Sequence, residues 1–291
     1  IAVLKGGSID IQGTATSPVS MVSNDGNPWG GLLICGNATT TEGVNAIAEV
    51  GGLVYGGTDD SDSSGTINYL ILRNTGAQIN ADSQFNGLSL YAVGSGTSIE
   101  NVAVIEGADD GIEFYGGTVN VTNFYAENLV DDSVDWTEGW NGTLTNTYVA
   151  NTISNFSTVI EADGVNNNPT LVNFTAISSN GGNAIQIKND SGATIIGLTL
   201  TGFETSLDFR DDAPISNLQI DGADADVASD AVFSSSSTNA SLFAWATNTS
   251  IGVGNALPAN ISSDLTLEAS TIYTVSGPVL VNSGATLTIP A

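Results

Sequence analysis

The sequence has no histidine, a single cysteine and a single methionine among its 291 residues. Without histidine, a nucleophilic serine or cysteine lacks its most common general base, which disfavours that class of enzyme. Cys35 lies in an apolar run, which indicates a buried side chain rather than a redox centre. One cysteine also excludes a disulfide framework within the chain.

Basic residues are almost as scarce, because only Lys5, Arg73, Lys188 and Arg210 face 31 acidic residues, which gives a net charge of −27. Contacts to phosphate groups need lysine and arginine, so the composition argues against nucleic acid and anionic membrane surfaces as partners. No apolar stretch approaches the roughly 20 residues of a membrane-spanning helix, so we expect no membrane insertion. A charge of this size suits salty water, where screening is strong, and predicts an extracellular or cell-surface protein.

What the sequence does contain is a repeat with a period of 20 to 27 residues. Each unit opens with Asn or Gly before an apolar-x-apolar pattern, passes through a turn, and reaches an apolar–polar–apolar triplet whose centre is usually acidic. The openings are Asn101, Asn123, Asn146, Asn173, Gly197 and Asn217; the triplets are 112–114, 134–136, 160–162, 185–187 and 207–209. Repeats of this length cannot bury their apolar faces singly, so they indicate a stacked solenoid.

The pattern predicts an all-β fold of parallel strands, with two short strands in each unit. Connections of this length join parallel strands more readily than hairpin geometry does. No segment of useful length has a helical period, and 34 glycines with many Ser, Thr and Asn residues provide frequent turns. We expect about nine to eleven rungs spaced by roughly 4.8 Å, with columns of Val, Ile, Leu and Phe as the core.

Two segments interrupt the predicted body, which we assign to residues 1–261. The first, at about residues 37–65, is polar and rich in aspartate; the second, at about residues 222–256, contains a serine run and the apolar patch 242–245. Interruptions of this length are typical of surface loops that pack over a fold or carry function. The apolar patch is either a packing surface or an interface.

Several segments carry a family resemblance over most of residues 1–212. They include NPWGGLLICGNA (27–38), DDGIEFYGGTVN (109–120) and DDSVDWTEGW (131–140). The chain resembles a family of secreted bacterial proteins that are predicted to form right-handed parallel β-helices and have no established reaction. The resemblance implies the fold and an extracellular or cell-surface setting in bacteria, and little about chemistry.

The order of two segments departs from that family. There, a segment similar to residues 262–291 comes first and continues through a turn into a segment similar to residues 1–14. In this chain the first of these stands at the C-terminus, so the tail has the sequence of rungs that would precede the head.

Both outer segments of the stack are apolar strand sequence, so we expect a solenoid that is uncapped at both ends. An exposed rung presents unpaired N–H and C=O groups and bare core, which favours strand addition. We therefore predict a head-to-tail homopolymer in which residues 262–291 complete the β-helix of a neighbouring copy. The predicted contact residues are Ile1, Val3, Leu4, Ile9, Ile11, Leu265, Leu267, Val279, Val281, Leu287 and Ile289. The alternatives are one period of a long tandem β-helix adhesin and an ordinary monomer.

The triplets place Glu113, Asp135, Glu161, Gln186 and Asp208 at equivalent positions on successive rungs. Flanking apolar residues face inward, so these side chains face outward by the two-residue period of a strand. Neighbouring carboxylates at rung spacing repel by roughly 1 kcal/mol in water and more at lower dielectric. Bound Ca²⁺, raised pKa values or a nearby basic side chain could offset this repulsion.

Acidic pairs in the preceding turns add further oxygen ligands beside this column. Ca²⁺ takes six to eight oxygens, so it is the cofactor that the pattern suggests, although the fold requires none and no standard Ca²⁺ loop is present. The candidate metal ligands are Asp109, Asp110, Glu113, Asp131, Asp132, Asp135, Glu161 and Asp163.

Carbohydrate chemistry is the competing interpretation. The pairs 109–110 and 131–132 could supply two glycosidase carboxyls. The chain lacks the histidine and the Arg-Ile-Lys element of polygalacturonases and the basic cluster of a lyase, so we predict no enzymatic activity. A module for neutral glycans could stack sugars on outward aromatic rings, although packing explains such rings equally well. The rings in question are Tyr115, Tyr125, Trp140 and Trp245.

Overall fold

A computed structural model describes residues 1–23, 25–80, 83–225, 233–234, 238–247 and 254–291. Much of the second predicted loop, at 226–232, 235–237 and 248–253, lies outside the described residues. The described residues form β-strands and two 3-10 helices, Ile215–Asn217 and Ala240–Thr247. Within those ranges no helix is long and apolar enough to cross a membrane.

The strands are short, and most are four to nine residues long in the central part of the chain. In chain order they are β1 (Ala2–Val3), β2 (Ser8–Gln12), β3 (Val19–Val22), β4 (Leu32–Cys35), β5 (Ala46–Ile47), β6 (Val54–Tyr55), β7 (Gly65–Arg73), β8 (Gln78–Asn80), β9 (Ser83–Gln84), β10 (Leu88–Tyr91), β11 (Ser98–Ile105), β12 (Ile112–Tyr115), β13 (Asn120–Glu127), β14 (Val134–Thr137), β15 (Thr143–Asn151), β16 (Ile160–Ala162), β17 (Thr170–Ser178), β18 (Asn183–Lys188), β19 (Ala193–Thr201), β20 (Thr205–Arg210), β21 (Leu218–Ile220), β22 (Ala223–Asp224), β23 (Asn255–Ala256), β24 (Asn260–Ile261), β25 (Leu265–Thr266), β26 (Tyr273–Thr274), β27 (Leu280–Val281) and β28 (Thr286–Pro290).

Two long sheets contain most of these strands. The first sheet has the order β20-β18-β16-β14-β12-β10-β4-β1-β27-β24, and the second sheet has the order β22-β21-β19-β17-β15-β13-β11-β7-β2-β28-β25, with β3 also beside β7. Neighbours in both sheets are parallel, except that β21 and β22 are antiparallel. The chain alternates between the sheets, and each strand of the first sheet and its successor in the second form one rung. The described residues contain ten such rungs, which confirms the predicted parallel β-helix.

The triplet register agrees residue by residue with the repeat. Glu113 lies beside Asp135, Asp135 beside Glu161, Glu161 beside Gln186, and Gln186 beside Asp208. The apolar residues on either side of each of these point between the sheets and belong to one core cluster that runs from rung to rung. Burial of these columns supplies the main stabilising free energy, on the order of 25 cal/mol per Å² of apolar surface.

The Asn and Gly openings have a conformational cause. Asn101, Asn123, Asn146, Asn173 and Gly197 all have positive φ, between 56° and 75°. This left-handed conformation bends the chain inside a strand of the second sheet, and Gly and Asn adopt it at the lowest cost. The asparagines also stack, because each side-chain Nδ2 donates to the Oδ1 of the asparagine one rung earlier at 2.8 to 3.0 Å.

Asn217 does not continue this column, contrary to the sequence prediction. It lies in the first 3-10 helix, and the register of β19 with β21 places it beside Gly192 rather than Gly197. Its Nδ2 donates to the carbonyl of Asp190. The repeat therefore changes where the second sheet ends in the antiparallel pair of β21 and β22.

The tail lies directly before the head in the stack. Strand β27 pairs with β1 and β28 pairs with β2, both in parallel, and β24 and β25 add one further rung. The tail rungs therefore precede the head rungs in the stack, which is the order that the sequence predicts. Within this single copy, residues 262–291 pair with the head of their own chain.

A strap, defined here as residues 233–234 and 238–247, shows how the tail returns. Ser234 bridges to Thr199 in β19, Thr238 bonds to Thr175 in β17, and Trp245 packs on Tyr69 in β7. The strap thus crosses the outer face of the second sheet from the rung of β19 back toward the rung of β7. Phe243 and Trp245, from the predicted apolar patch, are buried against Ile71 and Ala103 and their neighbours.

Residues 37–65 pack over the outer face of the first sheet through the antiparallel pair of β5 and β6. Val50 and Tyr55 join Leu33, Tyr91 and Tyr115 in a second apolar cluster there. The side chains of Thr40 and Tyr55 donate to the Glu138 carboxylate, which fixes this hairpin to the rung of β14 and β15. The hairpin covers one end of the acidic column.

Candidate cation site on the first sheet

The acidic column lies on the outer face of the first sheet, yet much of it is buried. Only 8% of Glu113 and 3% of Gln186 is exposed. Glu113 accepts hydrogen bonds from Asn86 Nδ2 and from the Tyr115 hydroxyl, and that hydroxyl also lies 2.8 Å from a Glu49 oxygen. Because the hydroxyl has one proton, both carboxyl contacts are satisfied when Glu113, whose pKa burial raises, is protonated.

Two turn aspartates form a ladder beside the column. The backbone N–H of Asp132 donates to Asp110 Oδ1 at 2.9 Å, and the N–H and hydroxyl of Thr158 donate to Asp132 Oδ1 at 2.7 and 2.9 Å. Each aspartate therefore caps the turn of the next rung. Asp110 and Asp132 are 8% and 2% exposed, so these carboxylates are buried with little compensating charge.

Burial and mutual repulsion raise the pKa values of these acids. Loss of solvation is the largest cause for Asp110, Glu113 and Asp135, whose pKa values lie well above the usual range, and neighbouring carboxylates add to it. The same causes raise the pKa of Asp132 to about 6 and that of Asp109 to about 7. Near neutral pH this group of acids therefore retains protons or needs a cation.

Seven of the eight predicted metal ligands lie close together. Their carboxylate oxygens form three groups in which all members lie within 4.8 Å of one another. These groups are Asp109, Asp110 and Asp131; Asp110, Glu113 and Asp135; and Asp132, Asp135 and Glu161. Asp163 belongs to none of these groups, and its Oδ1 accepts hydrogen bonds from the Gly164 N–H and from Asn189 Nδ2. It is therefore not part of the cluster.

Sequence reasoning placed Gln186 in the column and did not count it as a ligand. Its buried Oε1 has no hydrogen-bond partner among the described residues, and the same holds for Asp135 Oδ1. Glu161, which lies between them in the register, forms an ion pair with Lys188. The repeat itself points to Gln186, because it is the centre of the triplet 185–187 and so occupies the same position as the acids. Its amide oxygen can bind a hard cation as a backbone carbonyl does.

The predicted sugar platforms are largely covered. Trp140 is fully buried and stacks on Phe114 with ring centroids 3.9 Å apart, and Tyr115 is buried and stacks on Tyr91 at 4.1 Å. Trp245 is buried in the strap contact, and Tyr125 packs against Phe243. These rings pack within the protein and leave little face for a sugar.

Most of the predicted self-assembly residues meet at a seam between the tail and the head, whereas Leu265 and Leu267 lie one rung further into the tail. Val3 lies beside Val281, Ile9 beside Leu287 and Ile11 beside Ile289. Seven of the eleven are buried: Val3, Ile9, Ile11, Leu267, Val279, Val281 and Leu287. Ile1, Leu265 and Ile289 are partly buried against the same core, and Leu4 is half-buried at the turn after β1.

A comparison with protein families agrees with this architecture. A family model described as a pectate-lyase-like beta helix domain matches residues 1–256. The matched residues include the acidic column, the whole strap and nearly all of the body, and they end before the tail rungs. No curated protein matches the chain.

Proposed function

This chain belongs to the family of pectate-lyase-like β-helix domains, and from that premise we propose that it is a structural protein that assembles head to tail by exchanging its C-terminal rungs between copies. Family membership indicates a structural or carbohydrate-related role. The proposal adds that the protein is extracellular, that its partner is another copy of itself, and that it has no enzymatic activity.

The observation that carries the proposal is the seam. Everywhere else along the body, rungs that touch are consecutive in the chain. At the seam, β27 and β28 contact β1 and β2, which are more than 270 residues away in sequence. The contact uses backbone pairing and buried columns that any second copy presents identically. Such a contact can form within one chain or between chains, as in domain swapping.

Exchange between copies adds a contact that the closed chain lacks. In the closed chain, β24 and β25 form one end of the stack, and β20 with the pair β21 and β22 forms the other. A tail placed on the far end of its own body could set β24 against β20 and, after displacement of β22, β25 against β21, and it would offer β28 to the next head. The repeating contact would not close, which gives a filament.

The strap opposes exchange. A tethered tail meets its own head at an effective concentration of the order of mM. Phe243 and Trp245 add buried contacts that hold the strap across the second sheet. The closed chain is therefore the expected form in dilute solution, and exchange is expected when copies are concentrated or when the strap is released.

A pair of cysteines across the seam distinguishes the two arrangements. Ser8 and Thr286 are direct partners in the parallel pairing of β2 with β28, and both are half-buried. Neighbouring strands lie within the Cα separation that a disulfide spans. After oxidation of a concentrated sample of the variant Ser8→Cys with Thr286→Cys, we expect a ladder of covalently joined copies on a non-reducing gel.

The matched control is Thr122→Cys with Thr145→Cys, which pairs β13 with β15 inside the body and should give a crosslinked single chain at every concentration. Cys35 remains in both variants, because it is buried and burial raises its pKa to about 12. Ser8→Cys alone measures random crosslinking. If the seam pair gives only crosslinked single chains at all concentrations, head-to-tail exchange is wrong.

A further inference from the structure

The second sheet ends differently on its two sides. At the tail end, no described strand pairs with the outer edge of β25. At the far end, β22 pairs with β21 in the antiparallel direction, Gln219 lying beside Asp224 and Ile220 beside Ala223. Strand β22 therefore occupies the edge on which a further parallel strand would continue the stack.

A tight turn that the sequence specifies holds β22 in this position. Asp221 and Gly222 have φ of 50° and 83°, as a two-residue type I′ hairpin requires, and Asp-Gly is one of its preferred sequences. Asp221 Oδ1 accepts from the Gly197 N–H at 2.8 Å, and the Ala225 N–H donates to the Leu218 carbonyl at 2.9 Å. The hairpin is thus anchored to the body on both sides of its turn.

Strand β22 has the features by which proteins protect the edge of a sheet. It is two residues long and carries Asp224, and short, charged edge strands discourage further pairing. Both of its residues are exposed, whereas Leu218 in β21 is fully buried. Release of β22 would therefore uncover the edge of β21 at little cost in buried surface.

The rung of β24 and β25 matches the edge that β22 covers. Strand pairings run without a break from Thr266 in β25 to Gln219 in β21, so these two residues occupy the same outward column. By the same register Leu267 matches Ile220 in the core, and each is 8% exposed. A tail rung beyond β21 would continue the apolar and the polar columns in parallel, as tail and body rungs already do at the seam.

We propose that β22 is an autoinhibitory strand, which keeps the rung of β24 and β25 of an exchanged tail from pairing with β21 until β22 is displaced. This inference rests on the proposed exchange of tails and adds a point at which that exchange is controlled. The strap holds the tail in its closed position, whereas β22 covers the surface to which a released tail would move. Both oppose exchange, and weakening either one should favour it.

A reporter variant, Asp208→Cys with Asn260→Cys, shows whether the tail rung reaches the far end. In the continued register these positions are neighbours on β20 and β24, whereas in the closed chain they lie at opposite ends of the first sheet. Neighbouring strands lie within the Cα separation that a disulfide spans. Oxidation should therefore join the two cysteines within one chain when its tail has moved. The reporter leaves the hairpin of β21 and β22 unchanged.

Gly222→Val, added to the reporter variant, tests the role of β22. No atom lies within 4 Å of a Cβ placed at Gly222, so the substitution adds only strain at φ 83°. That strain should shift the equilibrium toward released β22 by about five- to thirtyfold and raise the crosslinked fraction accordingly. Gly222→Asn is the matched control, because asparagine tolerates the left-handed region, and it should leave crosslinking unchanged.

Ala225→Pro weakens the same hairpin without altering its turn. Proline lacks the N–H that donates to the Leu218 carbonyl, so this variant should also raise the crosslinked fraction of the reporter.

The outcomes separate the role of β22 from the exchange itself. Equal crosslinking in the reporter variant with and without Gly222→Val overturns the role of β22, even when the seam pair of Ser8→Cys with Thr286→Cys joins copies. A rise with Gly222→Val in which the reporter joins separate chains, while the seam pair joins only residues of one chain, means that closed copies stack end to end. That result contradicts the exchange of tails, although β22 still covers the edge.

Discussion

A positive φ angle at the opening of each repeat is the residue-scale feature on which the second sheet depends. Asn146 has φ 58°, donates to Asn123 Oδ1 at 3.0 Å and accepts from Asn173 Nδ2 at 3.0 Å. The side chain thus has two separate roles: it tolerates the left-handed backbone, and it links three rungs. Substitutions can separate these roles, because glycine keeps the first and loses the second.

We predict that Asn146→Ala is less stable than Asn146→Gly by about 1 kcal/mol in the free energy of unfolding. Both variants lose the two amide hydrogen bonds, whereas only alanine adds strain of about 1 to 2 kcal/mol in the left-handed region, partly offset by the entropy of glycine in the unfolded chain. Denaturant unfolding of both variants measures the difference. Equal stabilities would show that backbone conformation does not explain the choice of Asn and Gly.

The burial of the acidic residues could not be predicted from the sequence pattern. The two-residue period correctly placed Glu113 and Gln186 on the outer face of the first sheet. Their burial depends on groups far away in sequence, such as Asn86 and Glu49, which contact Glu113 and Tyr115. Periodicity gives the direction of a side chain, and it contains no information on which distant loop covers it.

At the scale of elements, the rungs were predictable because each triplet repeats one pattern at one spacing. The register of β12, β14, β16, β18 and β20 follows directly from aligning the triplets. Asn217 departs because the chain there forms a 3-10 helix and an antiparallel pair that the repeat does not encode. The strap was only an apolar patch in the sequence, since the partner surface is assembled from several rungs.

The strap gives an element-scale prediction. Trp245 is 6% exposed and packs edge-on against Tyr69 with ring centroids 5.2 Å apart. Trp245→Ala should lower the free energy of unfolding by roughly 3 kcal/mol, the lower end of the range for a buried tryptophan. We expect faster proteolytic cleavage of the strap and, in the seam-cysteine variant, a larger fraction of joined copies.

Leu242→Ala is the matched control, because Leu242 lies in the same 3-10 helix and is 43% exposed. Its effect on stability should stay within about 0.5 kcal/mol, as for most surface substitutions. If Trp245→Ala leaves both cleavage and crosslinking as they are in the Leu242→Ala variant, the strap does not hold the chain closed.

At the scale of the whole molecule, closure of the stack and net charge both affect the equilibrium between the closed single chain and copies joined by exchange of their tails. In the closed chain, the strap places the tail against the head of the same copy, so the seam forms without a second copy. Exchange instead brings together two chains that each carry a net charge of −27. Repulsion between copies extends over about one Debye length, which falls from about 10 Å at 0.1 M salt to about 3 Å at 1 M.

We therefore predict that the fraction of joined copies in the seam-cysteine variant rises as NaCl is raised from about 0.1 M to about 1 M, with a chelator present to remove any effect of divalent cations. The physical reason is that salt screens the approach of two acidic chains and leaves the apolar seam contacts intact. The pair Thr122→Cys with Thr145→Cys should crosslink to the same extent throughout, since its partners never leave one body. A fraction of joined copies that falls with NaCl would mean that the contact between copies is itself electrostatic, which conflicts with a seam built from Val3, Ile9, Val281 and Leu287.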